Sequence, residues 1–481
     1  MVSIKSNGMK SVLANIGFVM QISGIFIILP IIISFAYNET DATIGLFIAA
    51  TSFSIFGFLL NALCERKELS FKQSATIIVL VFIILSFIGS IPYLYINITN
   101  SDVIGNITDS VFESASGFTT TGFSFIRNTS AVPRSIIFYR ALTQFIGGIG
   151  IVLVLLAFFY PEEKLKEFSK SIGFHGTNHR IKNTFLLILL IYAIYCVFIV
   201  VISFLSGYHD ILNLIAFSFA AISTGGFSPV NDIGPLVQNT FFGLMLMVGM
   251  VLGASNFLIM AGLLKRRFKQ FMRSEVFVYM IMIIVAVSIV TIAFGMPLFD
   301  AAFHTISAMT NAGFMYLKIV EFPTSLKFLL TILIFIGGTS FSTAGGIKIW
   351  RFLLLFKAAK NTVNESITHQ TRSVVLFDKI YSKQEIMQCL ITIILMATTV
   401  IIASLIIVSY GYSLSDTVFE VSSAIANTGL TTGVASVSLA AELKWVFIAV
   451  MILGRVEVYS FFLMISRAKE PIQQQPPQVF H

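Results

Sequence analysis

The chain has 481 residues and a formal net charge of +8, yet only 11% of its residues are charged and 56% are hydrophobic. Soluble domains carry roughly 25% charged residues, so a water-soluble core is excluded. Repeated apolar runs of about 20 residues or more can cross a hydrocarbon layer of roughly 30 Å, which makes the chain an all-α polytopic membrane protein. A β-barrel is excluded as well, because barrel strands alternate apolar and polar residues and these runs are apolar on every side. The basic residues lie in short loops between the runs, the pattern of membrane orientation, so nucleic acid is not expected as a partner.

In chain order, ten transmembrane helices are predicted near 11–36, 43–63, 74–96, 135–159, 184–206, 239–264, 275–298, 325–357, 386–410 and 443–466. The first run lacks a cleavage site of small residues and reads as a retained span. Ten crossings put both termini on one side. Of the 31 Lys and Arg, all but Arg127, Arg134, Arg140, Lys318, Lys327, Lys444 and Arg455 fall on that side, which the positive-inside rule makes cytoplasmic. Cys64, Cys196 and Cys389 are isolated in sequence and read as packing residues, with no disulfide framework. His175 and His179 stand in a cytoplasmic loop without carboxylate or Cys partners, so no metal site is expected there.

Four segments are too short to cross and too apolar for open loops: 109–123, 211–227, 300–314 and 416–430. Segments of this kind read as re-entrant elements. Aligned on Gly-Phe or Gly-Leu they repeat. DSVFESASGFTTTGF, NLIAFSFAAISTGGF, DAAFHTISAMTNAGF and DTVFEVSSAIANTGL start at Asp109, Asn213, Asp300 and Asp416, each thirteen residues before Gly122, Gly226, Gly313 or Gly429. The opening Asp or Asn suggests a helix N-cap. Two spans flank each unit, so the chain reads as two leading spans (1–68) and four repeats of span, pore helix, loop and span (69–162, 163–268, 269–360 and 361–481) with pseudo-fourfold symmetry.

Extended backbone at membrane depth survives only in a water-filled path or buried in protein. Four such loops on one axis could present a ring of carbonyls that replaces the hydration shell of a monovalent cation. The candidate ligands are the backbones of Thr119, Thr120, Thr121 and Gly122, of Ser223, Thr224, Gly225 and Gly226, of Thr310, Asn311, Ala312 and Gly313, and of Asn427, Thr428 and Gly429. A second interruption, IGGTSFSTAGGIK at 336–348, lies inside the eighth span. Each glycine costs a helix roughly 1 kcal/mol relative to Ala, so this span should unwind at membrane depth. Arg455, in LGRVEVYS, sits near mid-span, where a charge is costly and a functional role is the default. A structural pair with Glu457 or a snorkelling side chain is the alternative. Arg140 is read as snorkelling or paired, with Glu113 the candidate partner, and Glu113 and Glu420 occupy equivalent positions that could support the pore helices.

These features together resemble the TrkH/KtrB/HKT superfamily of potassium transporters, and most of all its TrkH branch, whose members add two leading spans to the four repeats. The resemblance covers essentially the whole chain. It implies that Gly122, Gly226, Gly313 and Gly429 are the filter glycines and that potassium is the transported ion. It further implies that Gly337, Gly338, Thr339, Ser340, Ser342, Thr343, Gly345 and Gly346 form an intramembrane gate with Arg455 on the pore axis below the filter. Also implied are a bacterial inner-membrane location, a homodimer, contact with membrane lipids and a cytosolic TrkA-like nucleotide-binding regulatory ring facing the basic loops at 265–273 and 348–385. No dinucleotide or Walker fingerprint occurs here, so no nucleotide is expected on this chain. A sodium-permeable or sodium-coupled KtrB-like transporter is the alternative. No HExxH, buried acidic pair or Ser-His arrangement supports an enzyme.

Overall fold

The computed structural model describes residues 6–62, 64, 71–99, 102–126, 128–159, 180–264, 266–369, 373–377 and 379–465, with side chains at 9–62, 64, 72–99, 102–126, 128–150, 188–263, 266–369, 373–377, 379–462 and 464–465. His175, His179 and the tail beyond 465 lie outside these residues. The described chain is helical apart from one hairpin, Val374–Leu376 with Lys379–Tyr381, which the all-α expectation did not contain.

Among the described residues six helical runs are long and apolar enough to cross a bilayer, and the bent pair Thr240–Ala254 and Phe257–Leu263 makes a seventh. Of the other predicted spans, 135–159 is the continuous helix Arg134–Phe159, while 325–357 and 443–466 each divide into two helices. The two leading spans, Ser6–Phe26 with Ile28–Ala36 and Thr40–Ala62, cross where Gly17 and Gly57 face each other. A Cβ on either glycine would press on the carbonyl of the other at 2.6–2.8 Å, so only this pair of hydrogens lets the backbones meet. Gln21 Oε1 accepts from Asn61 Nδ2 beside the crossing at 3.2 Å.

The four short helices form as the repeat predicts, at Val103–Phe118, Ile211–Ile222, Leu298–Met309 and Leu414–Ile425. Their starts differ from the prediction. The N-caps are Asp102, Asp210, Pro297 and Ser413, while Asp109 lies in the middle of its helix and Asn213, Asp300 and Asp416 lie in the first turn. Two of the repeated acidic residues serve instead as partners across repeats. Lys444 Nζ, in the outer helix of the fourth repeat, lies 2.6 Å from Asp109 of the first, and Lys327 of the third lies 2.8 Å from Asp416 of the fourth. Asp300 accepts from the Tyr316 hydroxyl within its own repeat.

A further buried pair holds the first repeat to the second. Arg140 Nε meets Glu113 Oε1 at 2.8 Å, with side-chain exposures of 2% and 0%. The same guanidinium donates to Ser124 Oγ at 2.7 Å and to the Ser228 carbonyl at 3.2 Å, and it stacks 4.2 Å from the Phe227 ring. Removing one partner of a buried pair typically costs about 3–5 kcal/mol, because a desolvated charge is stranded. Arg140→Met should therefore lower the unfolding midpoint in detergent by several degrees, and Arg140→Met with Glu113→Gln should recover part of the loss. Thermal denaturation followed by size-exclusion chromatography checks this.

Candidate functional site

Each short helix ends with the same two hydrogen bonds. Thr120 N–H donates to Gly117 O and Thr121 N–H to Ser116 O, both at 2.9 Å. The second repeat matches with Thr224 to Ala221 and Gly225 to Ala220, the third with Asn311 to Ala308 and Ala312 to Ser307, and the fourth with Asn427 to Ala424 and Thr428 to Ser423. This pair defines a Schellman end, which requires a left-handed residue at its pivot. The pivots are Thr120, Thr224, Asn311 and Asn427, with φ of 54°, 51°, 55° and 51°. Glycine usually fills such a place and Asn tolerates it, whereas β-branched Thr is an outlier there. The strain at Thr120 and Thr224 is held by complete burial. Thr119, Ser223, Thr310 and Ala426 are the C-cap residues just before the pivots, and Ala426 stands at a position the sequence reading left out.

Two residues beyond each pivot stands the predicted glycine, with φ of +90° at Gly122, +76° at Gly226, +77° at Gly313 and +85° at Gly429. These glycines close a ring. A Cβ on Gly122 would collide with the Gly225 carbonyl, one on Gly226 with the Ala312 carbonyl, one on Gly313 with the Thr428 carbonyl, and one on Gly429 with the Thr121 carbonyl. Each repeat thus packs its glycine on the peptide preceding the next repeat's glycine, and the fourth returns to the first. Side chains stitch the ring. Asn311 Nδ2 donates to Thr428 Oγ1 at 2.8 Å and to Ile334 O at 2.9 Å, and Asn427 Nδ2 to Thr121 Oγ1 at 3.0 Å and to Met451 O at 2.8 Å. Between the first and second repeats Gln144 takes over. Its Nε2 donates to Gly225 O at 2.6 Å and its Oε1 accepts from Phe227 N at 3.2 Å.

Behind the ring, the residue nine before each glycine holds the departing strand in three repeats. Glu113 accepts from Phe125 N at 3.0 Å and Ser124 Oγ at 2.9 Å, and Glu420 accepts from Thr432 N at 2.7 Å, Ala435 N at 2.9 Å and the Thr431 hydroxyl. Glu113 and Glu420, expected to support the pore helices, hold the segment that leaves the glycine instead, and His304, which sequence reading missed, does the same with Leu317 N at 3.3 Å. The fourth position is Phe217, which has no such acceptor.

The eighth span unwinds where its glycines cluster. Thr324–Ile336 ends at Gly337, with φ +67°, and Ile349–Thr368 begins twelve residues after it. The segment between them is anchored through its backbone and hydroxyls. Thr339 N–H and Oγ1 both donate to Ala254 O at 3.0 Å, Ser340 donates to both Glu275 carboxylate oxygens at 3.0 Å, and Ser342 Oγ donates to Thr339 O at 2.6 Å. Gly338 leaves no room for a Cβ beside Ala344, Gly345 none beside the Ala426 carbonyl, and Gly346 packs on Gly337. Glu275 carries no sequence signal that would have linked it to this loop.

The loop is not the only break. The outer helices of the second and fourth repeats also stop, at Ala254 and Arg455, and restart at Phe257 and Val458. A glycine lies thirteen residues after the first residue of every outer helix: Gly147, Gly253, Gly337 and Gly454. Gly147, Gly253 and Gly454 have no space for a Cβ because the last carbonyls of the short helices, at Phe118, Ile222 and Ile425, sit against them. This second set was missed, because its regular offset shows only when counted from the helix starts in the structure. Arg455 is buried and does not pair with Glu457, which instead meets Arg351 Nη2 at 2.6 Å. Arg455 donates to Thr343 O at 2.9 Å and Gly147 O at 2.8 Å, which ties the intramembrane loop to the first repeat.

The family model described as a cation transport protein, TrkH, matches residues 45–277 and 274–473. The chain belongs to the TrkH family of cation transport proteins. It is accordingly a membrane transporter and not an enzyme. An uncharacterized cation transporter of Methanocaldococcus jannaschii is 31% identical, with 95% of each chain covered. The Trk system potassium uptake protein TrkH of Escherichia coli K12 is 27% identical over 84% of this chain and 86% of its own. The crystal structure of the potassium transporter TrkH from Vibrio parahaemolyticus superposes with a TM-score of 0.80 at 23% identity, covering 95% of this chain and 99% of that one, which supports the fold.

The ring geometry makes a sharp forecast. Alanine at Gly122, Gly226, Gly313 or Gly429 should each cut cation flux at least about tenfold, since left-handed backbone alone costs an L-residue about 1–2 kcal/mol and the collision adds to it. Alanine at Gly150, a helical glycine with nothing within 4 Å, should leave flux unchanged. Flux assays in reconstituted vesicles separate the two groups.

Proposed function

We propose that this chain is the ion-translocating, channel-like subunit of a Trk-type potassium-uptake system in a bacterial inner membrane, with both termini cytoplasmic. The observation that carries the proposal is the closed ring of four left-handed glycines at the C-terminal ends of four short helices. Helix C-termini carry roughly half a negative charge each, which favours a cation at their meeting point. The peptides beside the glycines are the candidate ligands for a dehydrated potassium ion. They run from Thr119 to Gly122, Ser223 to Gly226, Thr310 to Gly313 and Asn427 to Gly429. Relatives that carry the Trk potassium-uptake name support the ion assignment.

The segment from Gly337 to Gly346, with Arg455 bonded to Thr343, is the proposed gate under the filter. A cytosolic TrkA-like ring acting on the basic loops, and a second copy of this chain as homodimer partner, complete the proposed assembly. Nucleotide sensing then belongs to the partner.

Reconstituted protein should take up radioactive rubidium with preference over sodium, and uptake without that preference would overturn the potassium assignment. Gly122→Ser should raise sodium permeability relative to potassium, and an unchanged ratio would count against the ring as the filter. Shortening residues 338–344 should increase basal flux if the loop occludes the path; reduced flux from a well-folded variant would sink the gating role.

A further inference from the structure

The four junctions of the ring are not held alike. A side-chain amide holds three of them: Gln144, from the outer helix of the first repeat, grips the second loop, Asn311 joins the third loop to the fourth, and Asn427 joins the fourth to the first. At the second-to-third junction the pivot is Thr224 and its neighbour is Ala312, whose methyl group accepts nothing. Among the described residues no hydrogen bond joins the second loop, 223–228, directly to the third, 310–314. What lies beneath that junction is the intramembrane segment. Thr343 Oγ1 stands 2.8 Å from Ile222 O, the last carbonyl of the second short helix, and 2.9 Å from Gly253 O. Thr224 Oγ1 approaches the same hydroxyl at 3.4 Å, and Thr343 N–H donates to Gly253 O at 3.1 Å.

We infer that Thr343 is a positioning residue for ion selectivity: the closed gate segment supplies the polar contact that the second-to-third ring junction lacks. The inference rests on the proposed gate and filter and adds a coupling between them. Any displacement of the segment that opens the path must withdraw the Thr343 hydroxyl from Ile222 O. The carbonyl at the end of the second helix then loses its donor, and the Thr224 pivot loses a neighbour that helps to hold a β-branched residue in left-handed backbone. The weakest junction of the ring therefore loosens as the gate opens, and discrimination between potassium and sodium falls with opening. The other three junctions keep their own amides and do not respond.

The test measures the potassium-to-sodium permeability ratio and the basal flux together, in the full-length chain reconstituted in planar bilayers. Thr343→Val keeps the shape and removes the hydroxyl. It should raise basal flux and lower the ratio about fivefold, the effect of losing about one buried hydrogen bond. Thr343→Ser should keep both values. Adding Thr224→Asn and Ala312→Thr to the valine variant rebuilds the amide-to-hydroxyl stitch of the neighbouring junctions, so it should restore the ratio while basal flux stays high. A raised flux with an unchanged ratio in Thr343→Val would overturn the coupling and leave the gate standing. An unchanged ratio when residues 338–344 are shortened, with flux raised, would do the same. No rise in flux from either change would overturn the gate itself and the coupling with it. If the valine variant does not fold, Thr343→Ala is read by the same two numbers.

Discussion

The structure depends on one repeated contact, a left-handed glycine pressed against a neighbouring repeat's peptide carbonyl. Because Gly122 meets Gly225, Gly226 meets Ala312, Gly313 meets Thr428 and Gly429 meets Thr121, the contact closes on itself only if all four loops are present at one height. No loop can adopt its shape alone. Its backbone polar groups are buried, and orphaned peptide groups in such a setting cost several kcal/mol. The ring therefore fixes where the four short helices point, and the outer helices must then accommodate the helix ends. Gly147, Gly253 and Gly454 are that accommodation: each vacates the space into which a short helix's last carbonyl projects.

The same constraint explains the charges. Lys444 reaches from the fourth repeat to Asp109 in the first, and Lys327 from the third to Asp416 in the fourth. Arg140 grips Glu113 and at the same time the Ser228 carbonyl beyond the second glycine. Desolvating such pairs is expensive, and their net contribution to stability is correspondingly small. Their direction is more telling than their energy, because each one clamps a repeat to its successor around the ring. Arg455 is of another kind. It meets two carbonyls and no carboxylate, one in the intramembrane segment and one in the first repeat, so its positive charge stays uncompensated by an anion in the contacts described.

Much of this was legible in the sequence. The thirteen-residue interval gave the four units, and the glycine pairs at 337–338 and 345–346 gave the broken eighth span. The N-cap reading of Asp109, Asn213, Asp300 and Asp416 failed because the helices start earlier, and for Asp109 and Asp416 because an acidic residue also serves cross-repeat pairing. Only the position of Lys327 and Lys444 in space reveals that pairing. The four pivots were read as candidate ligands, but their left-handed backbone was not foreseen. Left-handed backbone is ordinarily sought at glycine, and here it falls on Thr120, Thr224, Asn311 and Asn427, while the glycines two residues later answer to packing as well as to φ. The breaks at 255–256 and 456–457 carry no glycine pair of their own, so local propensity said nothing about them.

Those breaks matter for how the third repeat can differ from the others. In the second repeat the outer helix turns by 113° across two residues, Ser255 and Asn256, and Asn256 Oδ1 immediately caps the next helix at Leu258 N. In the fourth it restarts after Val456 and Glu457. Only the third repeat spends twelve residues, 337–348, on the same step, and that surplus length reaches across to touch the second repeat at Ile222 and Gly253, the fourth at Ala426 and, through Arg455, the first at Gly147. A break of two residues can only redirect a helix. A break of twelve, rich in residues that hydrogen-bond through hydroxyls and bare backbone, can reach the three other repeats at once. The proposed gate needs an element that enters from one side, and a single repeat with a longer break is the smallest departure from symmetry that supplies one.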